Sequence, residues 1–407
     1  MDLKDRLGEV GARPPAASDP RIDGLVPTLV LEPEDDDACA RALSLCHQES
    51  MAVIPVGGGT RLDVGNVPSR LDVYLKTARL SGVEDHIPGD LTVAVRAGTT
   101  LAALQTELGK ARQFLPLEVP RPSDATLGGI FALGEPGLRR RPGARPRDLL
   151  LGFEGVLADG TRVRAGGRVV KNVAGHDLMK LFVGSAGTLF VMTRAFLRLR
   201  GVPENVTTLA LGFRRASAAE AAWRELRSLA TAPEIATLLN PEAAFKHELD
   251  NWALLLRFEG LDEEVRGAVA SVRQLGDSVV VSSSIWDGVR DFPLEGPLEG
   301  PLLLRGMAAP ARTFQLAESW QDGGELIAYP DLGIVYTRTQ DRDALSDRQE
   351  AAKLHGAGVV IERAPTELKR EVDVFGEVPG GFELMTRIKE KLDPKNILSP
   401  GRFVGRL

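Results

Sequence analysis

Ile54-Pro55-Val56-Gly57-Gly58-Gly59-Thr60-Arg61 is the stretch from which the rest of the chain is read. A short apolar strand, residues 51–56, runs directly into three glycines. Glycine has no Cβ and accepts positive φ, so successive N–H groups can turn toward one point. Such a nest binds anions, phosphate oxygens above all. Thr60 adds a hydroxyl and Arg61 a positive charge at the same place. A pyrophosphate cradle is one reading. A glycine-rich turn between a strand and a loop is the other, since glycine punctuates many turns.

Upstream, residues 1–20 carry Pro14-Pro15 and read as a loosely held extension. Residues 25–31 form a strand. The acidic run Glu34-Asp35-Asp36-Asp37 suits the start of a helix that ends near Gln48. Downstream, residues 70–75 and 91–97 read as strands. Thr99 or Thr100 caps a helix whose apolar face is Leu101, Leu104 and Leu108. This strand–helix–strand rhythm predicts a mixed α and β domain.

A second glycine pair follows in Ser123-Asp124-Ala125-Thr126-Leu127-Gly128-Gly129, where backbone can again approach a ligand closely. Residues 139–171 carry nine Lys or Arg against three Asp or Glu. That basic patch fits phosphates, an acidic partner or nucleic acid, and equally, for most of its arginines, a solvated loop face. Residues 149–157 read as a buried strand, and Asp159-Gly160 signals a hairpin back through 161–165. The glycine-rich segment 166–178 contains His176, a candidate acid or base, although a lone histidine in such a loop reads as well as a hydrogen-bonding residue. Residues 184–188 break a short helix, and 189–199 form a further strand.

After Gly201-Val202-Pro203 the texture changes. Helices at 216–230, 262–275 and 343–355 alternate with strands at 253–258, 278–282, 333–337 and 359–362, which predicts a smaller α+β domain. A tandem Leu-Glu-Gly-Pro at 294–301 reads as a loop. A last helix, 382–392, precedes Asp393-Pro394 and the tail Ser399-Pro400-Gly401-Arg402.

Composition narrows the function. The net charge is −6, which gives no global reason to expect nucleic-acid binding. No run approaches the ~20 apolar residues of a membrane span, and the N-terminus lacks a signal-peptide core, so a cytoplasmic protein is expected. Cys39 and Cys46 lie seven apart on a helix and read as core; neither they nor His47, His86, His176, His247 and His355 have metal-ligand spacing. There is no GxxxxGK[ST] loop and no strand-linked GxGxxG, which argues against a nucleotide P-loop and a nicotinamide Rossmann site.

Taken in order, the Gly57–Thr60 loop, Ala97-Gly98-Thr99-Thr100-Leu101, Ala125 to Gly129, Leu138-Arg139-Arg140, Arg147-Asp148, Gly167 to Leu178, Gly184 to Leu189 and the closing Leu392-Asp393-Pro394 to Arg402 resemble the FAD-linked oxidase family of the vanillyl-alcohol-oxidase, or PCMH, type. Within that family the likeness is to the glycolate oxidase (glycolate dehydrogenase) subunit-E branch. No motif is specific alone; their order over 50–202 is. Residues 203–385 resemble the family weakly.

The resemblance implies an α+β fold. A two-subdomain FAD-binding domain would span 21–202 and a cap or substrate domain 203–385. A C-terminal segment, 386–407, would complete the flavin site. It implies non-covalent FAD held at Val56, Gly57, Gly58, Gly59, Thr60 and Arg61, and at Ser123, Asp124, Thr126, Leu127, Gly128 and Gly129. Arg147, Asp148, Lys171, Asn172 and Gly175 would follow, then Gly184, Ser185, Gly187 and Val191, and last Pro400, Gly401 and Arg402. It further implies an oxidoreductase acting on CH–OH donors: a subunit that passes electrons from a small 2-hydroxy acid such as glycolate through flavin to an iron–sulfur partner. A second flavoprotein subunit would share the complex, peripheral at the inner membrane through its partners. The basic cluster Arg139-Arg140-Arg141 is a candidate docking patch for the partner.

The departures are specific. His176 stands where the family usually has Tyr, Ala186 where the larger family often has Glu, Phe190 where it usually has Gly, and Ser399 where it usually has Asn. The spacing from Gly143 to Asp148 is one residue longer than usual, and the 134–137 segment is an unusual version of its kind. The catalytic members carry histidine clusters in the second domain, and this chain has only His247 and His355 there. Two rivals follow: a non-catalytic assembly subunit that keeps the flavin fold, and a stand-alone flavin oxidase of another hydroxy acid or alcohol.

Overall fold

Asp35 fixes the first long helix. Its carboxylate accepts from the Ala38 N–H at 2.7 Å, and Asp36 and Asp37 sit in the first turn of Asp36–Gln48. Ala38, Cys39, Ala42, Leu43 and Cys46 line the buried face. Burial pushes both thiols up to about 12, so the cysteines are inert packing groups.

The computed structural model describes residues 3–139, 143–167, 179–229, 231–296, 301–322, 324–341 and 343–407. It divides into two units. The first comprises Met1–Pro136, Gly143–Val202 and Thr366–Leu407; the second comprises Gly137–Pro142 and Pro203–Pro365. The chain thus rejoins its first unit at Thr366, and that returning segment is longer than the 386–407 expected.

The first unit holds two main sheets. Strands β1 (Ala12–Arg13), β2 (Leu29–Leu31), β3 (Val53–Val56) and β4 (Val73–Lys76) make the first, in the order β1-β2-β4-β3, with β2, β4 and β3 parallel. Parallel strands need a crossover, and Asp36–Gln48 carries the chain from β2 to β3, which flank β4 on its two sides. Strands β5 (Val83–Ile87), β6 (Thr92–Arg96), β8 (Leu150–Val156), β9 (Arg162–Gly166) and β10 (Val191–Arg198) make the second, antiparallel throughout, in the order β5-β6-β10-β8-β9. Strands β7 (Gln113–Phe114) and β11 (Arg200–Gly201) pair separately. The helices Leu101–Gly109 and Leu127–Leu133 pack Leu104, Leu108, Ile130 and Phe131 into one core with Val95, Phe153 and Leu197.

The second unit is built on one eight-stranded antiparallel sheet. Its strands are β12 (Asn205–Phe213), β13 (Ile235–Leu239), β14 (Trp252–Gly260), β15 (Ser278–Val280), β16 (Leu302–Met307), β17 (Leu326–Tyr329), β18 (Ile334–Thr339) and β19 (Gly358–Arg363), in the order β15-β12-β14-β13-β17-β18-β16-β19. The β12–β14 ladder is the longest, from Asn205 opposite Gly260 to Phe213 opposite Trp252. Among the described residues no helix is long and apolar enough to cross a membrane.

Arg139 is not a surface docking residue. It is 4 % exposed, and its guanidinium donates to Glu259 at 2.7 Å within the second unit. Arg257 lies on the same Glu259 carboxylate at 2.7 Å. Glu259 takes both guanidinium groups and Glu234 lies 3.9 Å from Arg139, so two carboxylates face the two cations and a residue read as solvated is inside. Arg140 and Arg141 lie outside the described residues, as do residues 297–300 of the tandem loop at 294–301.

Candidate cofactor site

Strand β3 ends at Val56, and the chain turns away from the sheet through Gly57, Gly58 and Gly59, the last at φ +71°. Among the described residues, no acceptor meets the N–H groups of Gly57, Gly58, Gly59 or Thr60. Four successive unbonded amides after a strand are the donor set that a dianionic pyrophosphate needs. Arg61 lies close by but is half engaged: its guanidinium faces Glu135 at 3.5 Å, and both side chains are largely buried.

The second glycine segment lies against the first. A Cβ on Gly57 would stand 2.0 Å from the Thr126 hydroxyl, so only backbone fits there. Thr126 caps the helix Leu127–Leu133, accepting from the Gly129 N–H at 3.4 Å. The Leu127 N–H donates to the Thr99 carbonyl and the Gly128 N–H to the Ala97 carbonyl, at 3.0 and 2.7 Å. The expected second grip of amides near Gly128 is therefore absent. Those donors close a turn against residues 97–99, and the segment supplies a wall. An open cavity of about 940 Å³ borders both segments, lined in part by Gly57, Gly58, Thr99, Ser123, Asp124 and Thr126. Its carboxylates are engaged: Asp124 pairs with Arg121, Glu107 with Lys110, and Glu84 with Arg96 and Arg194.

The third segment backs the loop. The Gly184 N–H donates to Phe131 O and the Ala186 N–H to Ala132 O, at 3.0 and 2.7 Å. Gly187, at φ +71°, would bring a Cβ to 3.6 Å from both Pro55 and the Ser399 hydroxyl. Ser399 donates that hydroxyl to the Gly187 carbonyl at 3.2 Å and its N–H to Val53 O at 2.8 Å. Ala186 and Ser399 hold φ of +52° and +45°, a conformation costly for residues with a Cβ, and both lie where this segment meets the tail. The Ser185 hydroxyl is buried without a hydrogen-bond partner among the described residues. Val191 packs its side chain in the core beside Val53 and Val73.

Two expected groups face elsewhere. Asp148 accepts from the Gly143 N–H and Arg145 Nε, at 3.1 and 2.9 Å; burial raises its pKa, but these bonds outweigh that and leave it below the ordinary carboxylate range. Arg147 is about half exposed beside it. Lys171, Asn172, Gly175 and the catalytic candidate His176 lie outside the described residues.

Sequence reading missed Lys389. It is 5 % exposed and donates to Thr188 O, Leu398 O and the Asp393 carboxylate, at 2.9, 2.8 and 2.7 Å. Burial pushes its pKa down, with Asp393 opposing. The i to i+4 spacing of Lys389 and Asp393 was the available signal; their burial was not visible in it.

The residues fit a flavin dinucleotide: unbonded amides at 57–60, side-chain-free backbone against Thr126, and a buried unpartnered hydroxyl at Ser185. Residues 27–166 match the FAD binding domain family, and residues 355–403 match the C-terminal domain of FAD linked oxidases. The chain is 29 % identical over 428 aligned residues to D-lactate dehydrogenase of Archaeoglobus fulgidus, covering 93 % of this chain and 92 % of that one. It is 28 % identical over 337 residues to glycolate oxidase subunit GlcE of Escherichia coli, covering 80 % and 85 %. The fold is that of p-cresol methylhydroxylase, with a TM-score of 0.75 over 98 % of this chain and 95 % of that one at 17 % identity. The chain carries an FAD binding domain and the C-terminal domain of FAD linked oxidases, on the PCMH-type α+β fold. It is an FAD-linked oxidoreductase, and FAD is its cofactor.

Proposed function

We propose that the chain oxidises a small 2-hydroxy acid of the glycolate or D-lactate kind as the flavin subunit of a larger assembly. The relatives' names support the substrate class, and GlcE supports the subunit role. The other members would be a second flavoprotein subunit and an iron–sulfur subunit that takes the electrons onward. The observation that carries the reading is the row of unbonded amides from Gly57 to Thr60 beside Thr126 and Asp124. Those amides would hold the pyrophosphate, and the 184–187 segment would lie behind it with the Ser185 hydroxyl. FAD supplies the two-electron acceptor chemistry when bound; the chain's part is to bind it, orient it and exclude water.

A second reading, an assembly subunit that no longer turns over, draws on Phe190 and Ser399. Both departures from the family are spent on packing: Phe190 lies 4.2 Å from Phe182, centroid to centroid, and Ser399 on Gly187.

The test is a spectrum followed by anaerobic mixing. Purified protein with FAD should show bound-flavin absorbance. The partner subunits should then be required before glycolate, D-lactate or D-2-hydroxyglutarate bleaches it. Bleaching by the isolated chain would favour a self-contained oxidase, and bound flavin that never bleaches would favour the assembly subunit.

A further inference from the structure

The C-terminal segment grips the turn that follows the glycine loop, and grips it by its backbone. Arg402 Nη2 donates to Leu62 O at 2.8 Å and also to Val64 O. The Arg402 carbonyl accepts from the Asn66 N–H at 3.0 Å. Gly65, at φ +98°, passes so near that a Cβ there would stand 2.7 Å from that carbonyl. The Asn66 amide, fully buried, donates to Phe403 O and the Asp373 carboxylate at 2.9 and 3.0 Å, and accepts from the Val374 N–H at 2.9 Å. Lys369 donates to Asp63 O at 3.0 Å and pairs with Asp23 at 2.6 Å.

Every residue from 62 to 66 therefore meets the tail, while residues 57–60 make no hydrogen bond through their N–H groups among the described residues. A loop with unbonded donors keeps one shape only if its ends are fixed. Strand β3 fixes one end. The other end is fixed by Arg402, Asn66 and Lys369. The Arg402 guanidinium is 6 % exposed overall and is directed at carbonyls, so a role as a point charge for phosphate is not its geometry. The two N–H groups of one guanidinium nitrogen, Nη2, reach both carbonyls.

We propose that Arg402, with Asn66 and Lys369, is a positioning residue: it holds the 62–66 turn and thereby keeps the amides of 57–60 converged on the cofactor's pyrophosphate. The proposal rests on the reading of that loop as the pyrophosphate site. Preorganised donors bind more tightly because their ordering cost is met before the ligand arrives.

The test uses the full chain. Arg402→Met and Asn66→Ala are compared with wild type for FAD affinity by flavin fluorescence and for amide hydrogen exchange without FAD. Arg402→Met should weaken FAD at least tenfold and speed exchange in peptides spanning 57–66, leaving those of β8 and of Leu101–Gly109 unchanged. Arg402→Lys should recover part of both. Wild-type affinity and wild-type exchange at 57–66 in a folded variant would overturn the proposal, as would faster exchange spread over the whole unit. If Arg402→Met does not fold, Asn66→Ala decides by the same two readouts. The pyrophosphate reading fails separately, if FAD binds wild type without slowing exchange at 57–61.

Discussion

The carbonyl oxygen of Asp124 occupies the place where residue 58 would carry a side chain: a Cβ on Gly58 would lie 1.7 Å from it. Backbone on backbone at that distance cannot be relieved by a rotamer change. Gly58→Ala must push the two glycine segments apart. The expected result is a loss of FAD affinity of about 100-fold, on the scale of 3 kcal/mol. Titration of the apoprotein with FAD checks it, with retained secondary structure by circular dichroism as the control.

Phe190 is packed against Phe153 and Phe182, with centroids at 5.1 and 4.2 Å, and Gly155 leaves room for its ring. Phe190→Ala opens a cavity in that trio. It should cost about 3–5 kcal/mol of stability, read as a lowered urea midpoint, and change FAD affinity less than tenfold.

Arg139→Met separates a structural from a docking role. Removing one partner of a buried ion pair costs about 3–5 kcal/mol, so thermal stability should fall markedly before any partner is added. A docking residue would leave the isolated chain's melting temperature where it was.

Asp19 is an acid-sensitive point of the first unit. Arg13 donates to it from both terminal nitrogens, and the Ala16 N–H and Lys76 add to this; together they outweigh burial and hold the carboxyl well below its ordinary value near 3.8. A depressed folded pKa means that the unfolded chain takes up the proton first. The stabilisation is complete above the ordinary value, begins to be lost as pH falls below it, and is gone once pH has passed the lower pKa of the folded state. Asp19→Asn should lower stability at pH 7 by about 1–3 kcal/mol, and its deficit should shrink below pH 4 in urea titrations run side by side.

The local elements were legible because their signals are local. Asp35, Thr100 and Thr126 cap the helices they precede, and Gly160 turns the β8–β9 hairpin at φ +91°. The glycine loop and its neighbour at 126–129 were legible as a pair, and they do touch. What the sequence hid is what depends on distant partners. Lys369 and Lys389 look like surface charges and Arg402 reads as a flavin-site cation, and each is buried against carbonyls, those of Arg402 lying up to 340 positions away in the chain. Gly128 looked like a donor, and only the approach of Ala97 shows that its N–H is taken. Strand β5 was missed because its register slips between Val83 and Asp85, which spoils the alternation.

Because the turn at 62–66 is secured by residues 369–405, the first unit is assembled from segments on both sides of the second unit in sequence. Synthesis runs from one end, so the ribosome must translate the whole intervening unit before the early glycine loop meets its support. A nascent chain halted anywhere before residue 402 would present that loop half-finished, and cofactor loading must wait until the segment after the second unit has been made.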